Sequence, residues 1–341
     1  MYAIPIDDHS AFALDDSAFV AADKAEFASG VDEMEAPEPG IWGCHYIDFD
    51  PFQVTSFTTP GGGIAYSATI NPDTNDAWIL AKDNLYIVFL KDQSIGKAPM
   101  PEEGISIFDV TQIGGRYYLS CSNGKVWYYD MNTFEWSALI TSAPLPERQP
   151  RGETETAADY VARTTPARKE HIFKYPHFYK AIAVGSDHYF LGALGRVVKI
   201  GADGREEMRL DSGARLVTGS VEGDQAVLCG DSPIAEIFRG TLDSGFERIF
   251  QNPERALHMT ALHKGLRYIG AAEYPGFFGP SLYTCEGDEL TPVVTGCARE
   301  PDNLLQLVST GGVLWAIDRR GIFRFTSDGW SLTDLSDIEN A

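Results

Sequence analysis

Apolar and polar positions alternate with a period of two along most of this chain, in short runs punctuated by turn residues, and the runs come in pairs. Six segments can be laid over one another: DAWILAKDNLYIVFL from Asp76, GRYYLSCSNGKVWYY from Gly115, DHYFLGALGRVVKI from Asp187, DQAVLCGDSPIAEIF from Asp224, GLRYIGAAEYPGFFGPSLYTC from Gly265 and GVLWAIDRRGIFRF from Gly312. Each runs from a turn residue through an apolar strand and a short polar or glycine-bearing turn into a second apolar strand. Their β-branched and aromatic content favours strands over helices of the same length. Another strand-like run precedes each pair: IAYSATI, ISIFDVTQI, KAIAVG, RLVTGS, HMTALH and LQLVST. Asp203-Gly204 and Asp328-Gly329 mark a further hairpin leading to REEMRL and WSLTDL, and Asn123-Gly124 is a strong two-residue hairpin signal because both residues tolerate positive φ. The predicted unit is four antiparallel strands.

The last apolar position of the first paired strand gives a ruler: Leu80, Leu119, Leu191, Leu228, Ile269 and Ala316, with steps of 39, 72, 37, 41 and 47 residues. Most of these steps fit one propeller blade. The long step coincides with residues 141–174, which lack alternation and are rich in Pro, Arg, Glu and Thr, so it predicts an irregular insertion at about 141–178. Within it ETETAADYVAR is expected to form a short helix capped by Thr154 or Thr156. At the N-terminus SAFVAADKAEF from Ser17 overlays DAWILAKDNLY with smaller side chains, WGCHYIDF supplies an outer strand, and the acidic VDEMEAPEPG (31–40) is a long loop between them. The segment YAIPI (2–6) is expected to pair with the C-terminal blade and close the ring, removing exposed edges. The fold predicted is one all-β domain over 1–341, a β-propeller of about seven four-stranded antiparallel blades, with six blades plus an N-terminal arm as the alternative. In repeat length and strand pattern the chain resembles the WD40/Kelch/YVTN-type β-propeller class, although neither a run of WD dipeptides nor a Kelch double glycine marks its blades.

Composition narrows the function classes. No run of about 18 apolar residues is present, which argues against a membrane-spanning helix. Met1 to Ser10 holds no basic residue and no apolar core of a secretory signal, and the five cysteines (Cys44, Cys121, Cys229, Cys285, Cys297) are odd in number and widely spaced. Together these predict a cytoplasmic protein with reduced, largely buried thiols. The net charge is −22, and residues 1–50 carry twelve Asp or Glu against one Lys. Such a charge repels phosphate backbones and anionic lipid, so neither nucleic acid nor membrane is expected as a partner; a basic protein is.

No catalytic motif emerges. GxSxG is absent, and Gly61-Gly62-Gly63 precedes a strand rather than the helix that a phosphate cradle needs. Asn71, Asp73 and Asn75 begin like a calcium loop, but Asp76 stands where glycine is required and Lys82 at the bidentate position. His171 and His177 flank an aromatic stretch close to Glu170, at a spacing that defines no metal signature. No cofactor is predicted. The breaks in the repeat are more informative, because aromatics in loops on a rigid scaffold make interface hot spots. HIFKYPHFYK places Phe173, Tyr175, Phe178 and Tyr179 beside lysines, EYPGFFGPS places Tyr274, Phe277 and Phe278 between two paired strands, and WGCHYIDFDPF places Trp42 beside the acids Asp32, Glu33 and Glu35. These eleven residues are the candidate partner-binding set. The sequence thus predicts a non-enzymatic protein-binding scaffold, in its most concrete form a bacterial cytosolic immunity or antitoxin-like protein capping a basic toxin or effector. The alternatives are a glycan or ester hydrolase or lyase working at the central channel, or a structural subunit of a larger complex.

Overall fold

Because side chains alternate faces along a strand, each apolar run has two faces to bury, and a four-stranded sheet does so only by stacking on its neighbours. In the computed structural model of this protein the chain forms four-stranded antiparallel sheets, each wound in simple meander order. The first holds β1 (Ser10–Ala13), β2 (Ala18–Ala22), β3 (Ile41–Phe49) and β4 (Phe52–Pro60), and the second β5 (Ala65–Asn71), β6 (Asp76–Ala81), β7 (Asn84–Phe89) and β8 (Ser94–Ala98). The third holds β9 (Ile107–Ile113), β10 (Arg116–Cys121), β11 (Val126–Asp130) and β12 (Glu135–Ile140). After the helix α1 (Ala157–Lys174) comes the fourth, β13 (Phe178–Val184), β14 (Asp187–Gly192), β15 (Arg196–Gly201) and β16 (Gly204–Arg209). The fifth is β17 (Leu216–Glu222), β18 (Gln225–Gly230), β19 (Ala235–Thr241) and β20 (Gly245–Asn252). The sixth is β21 (Leu257–His263), β22 (Leu266–Ala271), β23 (Leu282–Glu286) and β24 (Glu289–Pro292), and the last β25 (Gln306–Thr310), β26 (Val313–Ile317), β27 (Gly321–Thr326) and β28 (Gly329–Asp334).

The structure describes residues 94–334 apart from short gaps at 132, 147–149, 153–154, 232–233, 253–256, 272–279, 288, 311 and 319. Before residue 94 it describes the strands and Asp92, with side chains from Ser67 onward. Six blades, β5–β8 to β25–β28, therefore have described cores, and the N-terminal sheet β1–β4 has a described backbone. The innermost strands β5, β9, β13, β17, β21 and β25 touch in that order, and β1 lies against both β5 and β25, completing a circle. The architecture is a β-propeller. YAIPI lies outside the described residues; among those described, the C-terminal sheet consists of β25–β28 alone.

The core sits between blades. Trp78 of β6 stacks on Tyr117 of β10 with centroids 4.0 Å apart, and Leu80, Leu85, Leu119 and Tyr129 are buried around them. The fourth and fifth blades repeat this with Leu191, Val197, Leu228 and Phe238, and the fifth and sixth with Val227, Ile237, Ile269 and Tyr283. Around the axis the blades are tied by polar contacts. The Asp109 carboxylate of β9, 3% exposed, accepts hydrogen bonds from Ser67 Oγ of β5 at 2.7 Å, Lys180 Nζ of β13 at 2.8 Å and its own strand's Thr111 hydroxyl. One side chain thereby joins three consecutive blades.

The long step in the ruler is an insertion, since β9–β12 and β13–β16 are successive sheets. Its helix is capped by Thr156, whose hydroxyl accepts from the Asp159 amide at 3.1 Å. The helix is longer than the short one expected, because Arg168, Lys169 and His171–Lys174 continue it to the first residue of the strand-entry turn. A second correction concerns WGCHYIDF: it is the third strand of its sheet, β3, and the outer strand is FQVTSFTTP, whose threonines and Val54 favour a strand and which pairs along β3 from Ile41↔Pro60 to Phe49↔Phe52. Asn123 and Gly124 have φ of 57° and 66°, as the hairpin signal requires. The buried Cys229 thiol is pushed up to about 12 by burial, consistent with an inert core sulfur.

Truncating Trp78 to Ala removes the ring on which the second and third blades stack. It is expected to cost about 3–5 kcal/mol in urea unfolding, while Asp109→Ala, which leaves Lys180 without its acceptor, costs roughly 2–4 kcal/mol.

Candidate functional site

Meander order in every sheet, with the first strand innermost, sorts the connections onto two rims. Second-to-third turns and the crossovers from one sheet to the next share one rim; first-to-second and third-to-fourth turns share the other. The insertion joins β12 to β13, residues 272–281 join β22 to β23, and residues 23–40 join β2 to β3. The strand ends flanking all three breaks therefore belong to the same rim.

On that rim the inner strands share a feature the sequence does not advertise. The pairing register slips near the start of β5 (Ala65 to Ser67), β13 (Phe178 to Lys180), β17 (Leu216 to Thr218) and β21 (Leu257 to Met259). In β9 the slip falls between Ile107 and Asp109. Five successive blades thus carry a β-bulge at one level, leaving Tyr66, Phe108, Tyr179, Val217 and His258 as the extra residue. A bulge frees its residue from the alternation and re-aims the side chain. Phe108, Tyr179 and Val217 line the mouth of a central cavity of about 690 Å³. Phe108 lies 5.0 Å from Tyr179 and 5.6 Å from His177, ring to ring. The Tyr179 phenol is held above its ordinary range by burial, opposed by the nearby Arg215 guanidinium.

Deeper in the cavity the charged groups are mutually satisfied: Asp109 with Lys180 and Ser67, Glu222 with Arg267 at 2.8 Å. His263 Nδ1 lies 3.0 Å from the Ser309 hydroxyl on the channel wall, the one serine–histidine contact among the described residues. Its Nε2 is buried without a hydrogen-bond partner, so the carboxylate that would orient a catalytic base is missing from the described residues. Burial, with the charge of Lys264, also holds this imidazole below its usual range.

The insertion is pinned to the rim by its C-terminal turn. His177 Nδ1 accepts the Asn123 amide at 2.9 Å, its carbonyl accepts the Ala193 amide at 2.9 Å, and the Pro176 carbonyl accepts from Arg196 Nη1 at 3.3 Å. Arg196, buried and paired with Glu207, leaves no space for a Cβ at Gly124, which would approach its Nη1 to 2.8 Å. Beside this junction a cleft of about 550 Å³ opens between the helix end and the fourth and fifth blades, walled by Phe173, Leu210, Arg209 and Arg248.

The sequence-predicted residues separate accordingly. Phe173, 63% exposed on the last turn of α1, lies beneath the Arg209 guanidinium at 5.3 Å. Tyr175 ends the helix, half-buried, 4.8 Å from the His171 ring. Tyr179 is at the channel mouth. Phe178 is a correction: it is fully buried, facing Phe190 and covered by Arg196, because it opens β13 and alternation turns it inward. Trp42 is on β3, opposite Thr59, with its side chain outside what is described. Asp32, Glu33, Glu35, Tyr274, Phe277 and Phe278 lie outside the described residues. His171 and His177 do not converge on Glu170; each has its own setting at the helix junction. Sequence reading missed Phe108, and weighed His177 only for a metal rather than as an anchor, because their roles depend on a bulge and on a turn 54 residues away.

No protein-family model matches this chain, and no curated protein matches its sequence. Its backbone, however, superposes on solved propellers. The β-propeller domain of Cps50 (Swd1) from Myceliophteria thermophila matches with a TM-score of 0.57 at 12% identity over 93% of both chains. The WD40 β-propeller domain of Doa1 matches with 0.55 at 10% identity, over 94% of this chain and 90% of that one. The fold is a β-propeller, the fold these WD40-class domains share. A chain of the mitotic checkpoint complex is also similar, with a TM-score of 0.52 at 11% identity over 76% of this propeller and 74% of its counterpart.

The two neighbouring phenylalanines should behave oppositely. Phe173→Ala is expected to leave urea stability within about 0.5 kcal/mol of the parent, whereas Phe178→Ala loses about 3–5 kcal/mol.

Proposed function

We propose that this propeller is a non-enzymatic scaffold that docks a protein partner on the rim carrying the helix insertion and the bulged residues. The observation that carries this reading is the recurrence of the bulge: five blades carry one at the same level, and in three of them Phe108, Tyr179 and Val217 supply apolar and aromatic surface at one mouth. Rigid aromatics offer large contact area at small entropic cost, which suits a hot spot. Phe173 and the arginine-edged cleft extend the surface outward. The strands flanking residues 23–40, with four of the chain's acids in 31–40, end on this rim as well.

The partner is a basic protein, met in the cytoplasm. Support comes from the net charge of −22, half of it in residues 1–50, which accelerates association with a positively charged surface and discourages nucleic acid and anionic membrane. The most concrete form is an immunity or antitoxin-like role, in which the propeller caps a basic toxin or effector; one acidic body with a prepared face suits that task.

The immobilised protein, exposed to lysate of its source cells at low and high salt, is expected to retain one stoichiometric partner of basic isoelectric point. Raising salt from about 50 mM to about 500 mM should release most of it, since screening removes the long-range attraction. Tyr179→Ala combined with Phe173→Ala should abolish retention. A partner that is acidic, or that binds the double variant as well as the parent, would contradict the proposal.

A further inference from the structure

The junction that pins helix α1 is built around two histidines in states that only the neutral ring can satisfy. His177 Nδ1 is a hydrogen-bond acceptor, taking the Asn123 amide at 2.9 Å. Asn123 is held in the left-handed region (φ 57°) by the Ser122–Gly124 turn, so its N–H points in a fixed direction. A proton on Nδ1 would set donor against donor and leave that amide without an acceptor. His171, the buried residue of the helix, has an Nε2 shut off from solvent with no hydrogen-bond partner. A charged imidazole there would present an N–H with nothing to receive it, at a cost comparable to burying an unpaired polar group.

The charged surroundings reinforce this. His171 is faced by Arg168 and Lys174 of its own helix and by Lys125 at the start of β11, itself tied to Glu102 at 2.7 Å; its ring neighbour is Tyr175. His177 packs against Phe108 of β9 and Tyr179 of β13, with Asn123 at its Nδ1, while Arg196 binds the adjoining Pro176 carbonyl. Among the described residues no carboxylate stands against either ring to compensate a proton. Burial first, with the cations second for His171, holds both imidazoles below their ordinary range.

We propose that His171 and His177 form a two-proton latch that docks α1 on the rim at neutral pH and releases it on acidification. This rests on the reading of the rim as the docking surface only for its biological use, as a pH control on partner capture; the latch itself needs no partner. The sign follows from linkage. Each ring binds protons more weakly when docked than when free, so docking is fully stabilised above the free imidazole range near pH 6.5. That stabilisation is lost as pH falls through 6.5 toward the lower docked values. Because both rings are on one segment of seven residues, the two losses reinforce each other. The anchors that remain, from Arg196 and Arg209 to backbone carbonyls, keep the chain near the rim without fixing the helix.

The test is hydrogen–deuterium exchange of the full chain at pH 7.5 and pH 5.0, corrected for the intrinsic pH dependence of exchange, with β14 and β15 as internal reference. Peptides across 157–178 are expected to lose about tenfold or more in protection at pH 5.0 while β14 and β15 keep theirs. The His171→Phe, His177→Gln double variant, which keeps an acceptor for Asn123 and no titrating ring, is expected to hold the helix equally at both pH values. Imidazole ¹⁵N shifts of the unsubstituted protein give a second readout: His177 should titrate below 6.5 together with movement of the Asn123 amide. Unchanged protection of α1 between the two pH values, or a His177 titrating at or above 6.5, would overturn the latch. Loss of partner capture at pH 7.5 would count against the docking surface and leave the latch standing.

Discussion

Among the described residues no strand of one blade pairs into the sheet of another, so the ring depends on side chains of adjacent sheets holding each other around the axis. The buried Asp109 carboxylate expresses this constraint most compactly, drawing Ser67, Thr111 and Lys180 from three successive inner strands to one point. Away from the axis the same task falls to apolar stacking such as that of Trp78 on Tyr117. Because Asp109 fixes the height of three inner strands relative to one another, it also fixes the level at which their bulges lie. The collar of Phe108 and Tyr179 is a consequence of how the ring is held together.

The blades were legible in the sequence because their physics is local. Alternation, β-branched residues and turns such as Asn123-Gly124 act within a dozen residues, and the four-strand unit follows from them. The degraded first unit was legible in its second strand, Ala18–Ala22. Its strand order was not, because the aromatic run WGCHYIDF reads as the outer strand and FQVTSFTTP carries no turn signal that would set a fourth strand apart from it. The extent of α1 was hidden by Pro166 and by the aromatic HIFK, which interrupt a helical reading, although Thr156, one of the two caps the sequence offers, does cap the first turn.

The site was legible only in outline. The positions where the repeat breaks do flank one rim, which follows from strand order once the sheets are known. The side chains that make a surface could not be told from those that make a core: Phe173 and Phe178 are five residues apart and equally aromatic, and one is exposed while the other is sealed beneath Arg196. What separates them is the change from helix to strand between them. Bulges are still less visible, since one extra residue in a strand leaves no compositional trace; Phe108 and Val217 look like ordinary alternating positions. His177 shows the same limit in its hydrogen bond to a turn in another blade.

In the proposed scaffold one rim, assembled from crossovers, second-to-third turns and bulges, is the working face, and the other, made of plain hairpins, supports it. The most direct test is a hydrogen-exchange footprint of the purified complex with its captured partner. Protection gained on binding should concentrate in segments 104–109, 157–180 and 210–218, at the mouth and the helix, with the opposite turns at 114–115, 185–186 and 202–203 unchanged. Protection centred on those opposite turns, or spread evenly over both rims, would contradict the account.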